Sequence, residues 1–88
     1  MMRDYFLNRA RGIVLEYIRG VRRGVSLNWV IGSLVKMVER NEISVAEIWS
    51  IINEIENNPR LYLLDRISGR RERLEELKSE LKRVFSCK

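Results

Sequence analysis

The chain has 88 residues, 45% of them hydrophobic, with 17 lysines and arginines against 12 aspartates and glutamates for a net charge of +5. That length makes one domain with one core. With no histidine, a single cysteine (Cys87) and only Asp4 and Asp65 as aspartates, an intramolecular disulfide is excluded and most hydrolytic and metal-dependent sites lack their parts.

Cys87 has no histidine to activate it and reads as an idle thiol, which points to a reducing, intracellular and cytoplasmic setting. The N-terminal stretch carries scattered charges and no unbroken apolar run, so it does not read as a signal peptide. The longest apolar stretches, such as WVIGSLV, fall short of the roughly 20 residues needed to span a bilayer, so no membrane partner is expected.

In chain order, the first predicted helix runs from about Tyr5 to Val21. Phe6, Ala10, Ile13, Val14, Tyr17, Ile18 and Val21 line one face at three- and four-residue steps. Asp4 is its expected N-cap, and Gly20 or Gly24 its stop. The second helix follows the cap residue Ser26 and runs from Leu27 to Arg40, with Leu27, Val30, Ile31, Leu34, Val35 and Val38 as its apolar stripe.

The third helix carries the plainest start signal in the chain. Ser44 and Glu47 have capping-box spacing, and Ile43 and Ile48 are placed as the accompanying hydrophobic staple. Val45, Ile48, Trp49, Ile51, Ile52 and Ile55 make an apolar arc wide enough to pack on more than one neighbour. Asn57 and Asn58 close the helix before Pro59. From there a helix is expected through RLYLLDRIS, although a short strand also suits Leu, Tyr and Ile. The last helix spans about residues 70–86, with Leu74, Leu77, Leu81, Val84 and Phe85 in line. The expected fold is therefore all-α, one compact domain of four or five amphipathic helices.

Helices two and three, joined at Asn41 to Ile43, resemble the helix-turn-helix arrangement over about thirty residues, so the fold could hold a helix-turn-helix-like core. Helix three departs from a base-reading helix, however. Its exposed positions are Ala46, Glu47, Ser50, Asn53, Glu54 and Asn57, with no basic residue to offer to base edges. The segment from Pro59, carrying Arg60 and Arg66, would have to be the reader.

Charge is segregated along the chain. Residues 1–24 carry six arginines against Asp4 and Glu16, residues 25–58 carry Lys36 and Arg40 against five glutamates, and residues 59–88 carry nine basic against five acidic groups. A polyanion would therefore meet the terminal segments. Thirteen of the basic residues are arginines, which bind phosphates through a planar fork and stack on bases. Two nucleic-acid-binding clusters are expected. Arg9, Arg11, Arg19, Arg22 and Arg23 form a ridge opposite the apolar face of helix one, and Arg66, Arg70, Arg71 and Arg73 gather near Ser68-Gly69. Either cluster could also be a basic solvated face. The high charge and absence of glutamine would suit a thermophilic source, against which stand six asparagines.

Catalysis is not expected. On the last helix, Arg71–Glu75, Glu75–Lys78 and Glu80–Arg83 have the spacing of a solvated ion-paired face. GVRRG lacks the lysine and context of a phosphate-cradling loop. No metal and no cofactor are implied.

A protein interface is the competing reading. Trp29 lies opposite the main stripe of helix two, near Gly32, Ser33 and Lys36, and would either meet a partner or pack on helix one or the C-terminal helix. Tyr62 poses the same question. Leu74, Leu77, Leu81 and Val84 have the spacing of a short coiled-coil seam, so the C-terminal helix could pair with a copy of itself or pack within its own domain. These features lead to a small, basic, non-catalytic protein that associates with nucleic acid, alone or as an accessory subunit of a nucleoprotein machine. The alternative is a pure interaction module that docks a larger partner through Trp29 and the arginine-rich ends.

Overall fold

A computed structural model describes residues 2–20 and 26–86, with side chains from Asp4 onward. Val21, Arg22, Arg23, Gly24 and Cys87, to which sequence reasoning assigned roles, lie outside the described residues. The described residues form four α-helices: α1 (Met2–Arg19), α2 (Leu27–Glu39), α3 (Val45–Asn57) and α4 (Arg70–Ser86). The described residues contain no strand. The chain is all-α, as expected.

Helix α1 is the hub. It packs closely against α2, α3 and α4, and α2 also packs against α4. Its face of Ala10, Ile13, Val14, Tyr17 and Ile18 is buried, which is the periodicity read from the sequence. One continuous apolar core joins this face to Val30, Ile31, Leu34 and Met37 of α2, to Ile48, Ile51, Ile52 and Ile55 of α3, and to Leu74, Leu77 and Leu81 of α4. On α2 the buried stripe is turned from the expected one. Met37 is buried, while Leu27, Val35 and Val38 are only half-buried, because α2 faces both α1 and α4.

Local chemistry sets most of the ends. The Ser44 hydroxyl accepts from the Glu47 amide at 3.1 Å, and the Glu47 carboxylate accepts from the Ser44 amide at 2.8 Å, which completes the capping box. Ile43 and Ile48 are both buried beside it. Ser26 caps α2 by accepting from the Trp29 amide at 3.2 Å. Asp4 is not the cap of α1, because that helix already begins at Met2. Its carboxylate sits in the first turn, where it complements the positive end of the helix dipole.

Helix α1 stops at Gly20, whose φ of 63° lies in the left-handed region that glycine enters without a Cβ clash. Helix α2 ends in a Schellman motif. Asn41 takes φ 59° and donates to Val38, and the Glu42 amide donates to Met37 at 2.9 Å.

Residues 58–69 correct the expectation of a helix. After Pro59 the chain makes a single turn, closed by Leu63 N–H to Arg60 C=O at 3.1 Å and Leu64 N–H to Pro59 C=O at 2.7 Å, and then continues as turns to Gly69. Leu63 occupies the left-handed region at φ 58°, which ends the turn. The reason is packing. Leu64 is the fully buried residue of this segment, with Tyr62 and Ile67 half-buried against the core, whereas Leu61 and Leu63 point outward at 69% and 76% exposure. Positions 62 and 64 fall on opposite sides of a helix, so a continuous helix here would lift one of them from the core. The reader helix that the helix-turn-helix resemblance needs after α3 therefore does not form.

The coiled-coil seam of α4 is used within the domain. Leu77 and Leu81 are fully buried and Leu74 nearly so, which leaves no free leucine seam for a homodimer through that face.

Two helical glycines stand in open space. A Cβ added at Gly12 of α1 or Gly32 of α2 would meet nothing within 4 Å. Each is expected to gain about 0.5–1 kcal/mol on replacement by alanine, read as a rise in the urea midpoint at constant m-value.

Candidate nucleic-acid interface

The packing of α1 against α2 leaves a cleft whose long wall is one stripe of α2. Trp29, Ser33, Lys36 and Arg40 follow at steps of four, three and four, so their side chains stack along a single face. Arg9 and Ile13 of α1 form the opposite wall, Met37 the apolar floor, and Glu42 closes one end.

Trp29 is 46% exposed. It stands outside the core, because α2 turns Val30, Ile31, Leu34 and Met37 inward, and it lines the cleft together with Arg9 and Ile13 of α1. Arg9, Lys36 and Arg40 are exposed, and none forms an ion pair with a carboxylate among the described residues. Three cations against Glu42 leave the cleft positive. Tyr5, 58% exposed, sits one helical turn before Arg9 on the same face of α1.

Sequence reasoning placed Arg9 in the nucleic-acid set and Trp29, Ser33 and Lys36 in a protein-interface set; the fold brings these four together. It had missed Arg40 and Tyr5. The signal for Arg40 was its place four residues after Lys36 on the Trp29 stripe. The signal for Tyr5 was its place four residues before Arg9.

The two expected arginine clusters are divided by the fold. Arg11 turns toward α3, where its guanidinium donates to Glu54 at 3.3 Å, and it also donates to the Asn8 side chain of α1 at 2.8 Å. Arg19 donates to the Tyr62 carbonyl at 2.9 Å. Arg70 donates to the Leu64 carbonyl. Arg73 spans two backbone segments, donating through Nε to the Ile18 carbonyl at 2.7 Å and through a terminal nitrogen to the Ser68 carbonyl at 2.8 Å. The Ile18 carbonyl belongs to the last turn of α1, where helices leave their acceptors unpaired and the dipole favours a cation.

These four arginines bind their own chain. Arg66 and Arg71 are exposed and make no ion pair among the described residues. They lie with exposed Arg60 around the 58–69 segment, apart from the Trp29 cleft. Arg71 does not form the expected pair with Glu75. The other two expected pairs form, Lys78 with Glu75 at 3.8 Å and Arg83 with Glu80, and Lys78 also joins Glu56 at 2.6 Å.

A more enclosed cleft lies where α1, α3, the 58–69 segment and α4 meet, with Arg70, Arg71, Glu56 and Glu75 at its rim. At this rim Glu56 is held by Lys78, and Arg70 donates to the Leu64 carbonyl. No group of three His, Cys, Asp or Glu side chains that could hold a metal comes together among the described residues. Among the same residues, no helix is long and apolar enough to cross a membrane.

Tyr62 is half-buried, and its hydroxyl donates to Glu54 at 2.5 Å, which joins the 58–69 segment to α3. That hydrogen bond, with the Arg11 guanidinium beside it, holds the Glu54 carboxyl below its ordinary value of 4.5. The same hydrogen bond, followed by burial, raises the Tyr62 hydroxyl above its ordinary 10.0.

The signs fix the pH response. A depressed carboxyl contributes stability above its unfolded pKa and loses it as pH falls through the folded one. A raised tyrosine contributes stability below its unfolded pKa and loses it as pH rises past that value. Tyr62→Phe is therefore expected to flatten the stability profile at both ends, below pH 4.5 and above pH 10.0, with little change in slope between. Denaturant midpoints measured across about pH 3 to 11 test this, and identical profiles for the two proteins would refute it.

No protein-family model, curated protein or solved structure matches the chain.

Proposed function

We propose that this protein is a small, basic, non-catalytic protein that associates with nucleic acid through the phosphate backbone of DNA. It acts alone or as an accessory subunit of a nucleoprotein machine such as a polymerase or transcription complex. The observation that carries the reading is the cleft between α1 and α2, where three unpaired cations, Arg9, Lys36 and Arg40, share one groove with an exposed indole. Cations without carboxylate partners keep their attraction for phosphate, and each phosphate they neutralise releases counterions. Arg66 and Arg71 extend the contact at a second surface. The face of α3 with Glu47, Ser50, Asn53 and Glu54 is polar and acidic, so it faces away from the polyanion.

A salt titration of binding to random-sequence duplex tests the reading. Three to five phosphate contacts predict a slope of log affinity against log salt of about −3 to −4.5. Undetectable binding at low salt would refute it.

One observation favours a second reading, a protein-docking module. Leu61 and Leu63 are the most exposed large apolar residues described, on a turn flanked by Arg60 and Arg66. Leu63 also holds a backbone conformation that costs a branched residue about 1 kcal/mol or more. This reading expects no duplex binding, and loss of a partner on substituting Leu61 together with Leu63.

A further inference from the structure

The cleft has a feature that duplex binding does not use. A flat, half-exposed indole stands beside the cations on one helical stripe, and duplex DNA keeps the faces of its bases stacked inside the helix. Phosphate contact alone needs no aromatic ring. Trp29 has its own bare surroundings: Ser33 follows one turn later, and Gly32 is exposed with nothing within 4 Å of the position a Cβ would take. A planar group can approach the indole without meeting a bulky neighbour on the helix. Lys36 and Arg40 continue the stripe at about 10 and 16 Å along the axis from Trp29, with Arg9 across the groove. The second exposed aromatic, Tyr5, lies one turn from Arg9. An exposed indole in line with cations along one groove suits a strand whose bases are unpaired.

We propose that the α1–α2 cleft binds single-stranded polynucleotide, with an unpaired base stacked on Trp29 and the adjoining phosphates held by Lys36, Arg40 and Arg9. The assignment rests on the nucleic-acid reading above and narrows it to strands that expose base faces. Stacking accepts any base, so the site selects strandedness rather than sequence. The sugar is not part of the recognition, and DNA and RNA strands both satisfy its chemistry.

The full chain carrying Trp49→Phe reports on Trp29 alone, since Trp29 and Trp49 are the two tryptophans. It is titrated at fixed low salt with oligo(dT) and oligo(U) of about 12 nucleotides, and with a duplex of the same length. The expected result is quenching of Trp29 emission by both single strands and tighter binding of each than of the duplex. Quenching by one strand alone would overturn the claim that both strand types satisfy the site, since oligo(dT) and oligo(U) differ in sugar and in the thymine methyl.

Trp29→Ala is expected to weaken single-strand binding about 5- to 100-fold while leaving duplex binding unchanged, and Trp29→Phe to restore most of the loss. Because Trp29 is half exposed, an unchanged circular-dichroism melt should accompany both variants, and the phenylalanine variant decides the matter if alanine unfolds the chain. Equal binding of single strand and duplex without quenching would overturn the stacking site while leaving the duplex reading in place. Absence of binding to every probe at low salt would remove both.

Discussion

Arg73→Ala is expected to lower the stability of the fold by about 3 kcal/mol, a drop in melting temperature on the order of 15 °C for a domain of this size. The guanidinium makes two hydrogen bonds to backbone carbonyls that lie far apart in sequence, Ile18 at the end of α1 and Ser68 just before α4. Hydrogen bonds from a charged donor contribute roughly 1.5–3 kcal/mol each, and partial solvent access places these at the lower end.

The site is built around that side chain. A Cβ at Gly20 would stand 2.8 Å from the Arg73 guanidinium carbon, and one at Gly69 would stand 3.0 Å from a terminal nitrogen, with both glycines at positive φ. Gly20→Ala and Gly69→Ala are therefore destabilising for two reasons at once. The left-handed backbone costs about 1–2 kcal/mol for any residue with a Cβ, and the added methyl displaces the guanidinium from its carbonyls. Arg73→Lys should recover little, because an ammonium cannot reach both acceptors with a planar fork. Arg71→Ala, two residues earlier and exposed, is the control and should stay within about 0.5 kcal/mol of the parent. Equal melting temperatures for the Arg71 and Arg73 variants would show that the guanidinium does not join α1 to α4.

The second large effect concerns binding. Replacing Arg9, Lys36 and Arg40 together with alanine is expected to reduce the salt slope by about 2.7 units on duplex, or about 2.1 on a single strand, at roughly 0.9 or 0.7 per phosphate. If these contributions vanish near molar salt, affinity falls about 1,000-fold at low ionic strength and on the order of 100-fold near physiological salt. The melt should hardly change, because none of the three forms an ion pair among the described residues and all are exposed. That separation of binding from stability distinguishes these cations from Arg73, Arg70 and Arg19, whose loss would weaken the fold. An unchanged slope in the triple variant would move the interface away from the cleft, toward Arg66 and Arg71.

The arginines illustrate why the candidate site was only partly legible beforehand. Read along the chain, Arg9, Arg11 and Arg19 look alike, as do Arg66, Arg70, Arg71 and Arg73. Helical spacing places a Cβ on a face, but an arginine side chain is long enough to reach around the helix. Its resting place depends on which acceptors lie within reach. Those acceptors are remote in sequence: Glu54 for Arg11 and Tyr62 for Arg19 are each 43 residues away, and Ile18 for Arg73 is 55 residues away. No local pattern carries that information.

What the sequence by itself determined was most of what short-range physics controls, the N-cap expected at Asp4 being the exception. The apolar faces of α1, α3 and α4, the capping box at Ser44 and Glu47, the Ser26 cap and the stop at Gly20 all follow from spacing within one or two turns. Tertiary packing alone decided three things. It left residues 58–69 as turns, which seat Leu64 in the core with Tyr62 and Ile67 against it, positions that one helical face does not share. It turned α2 so that Met37 went inward and Trp29 stayed in solvent. And it divided the arginines between carbonyls and water, because packing alone decided which arginines came within reach of acceptors at the end of α1 and in the 58–69 segment.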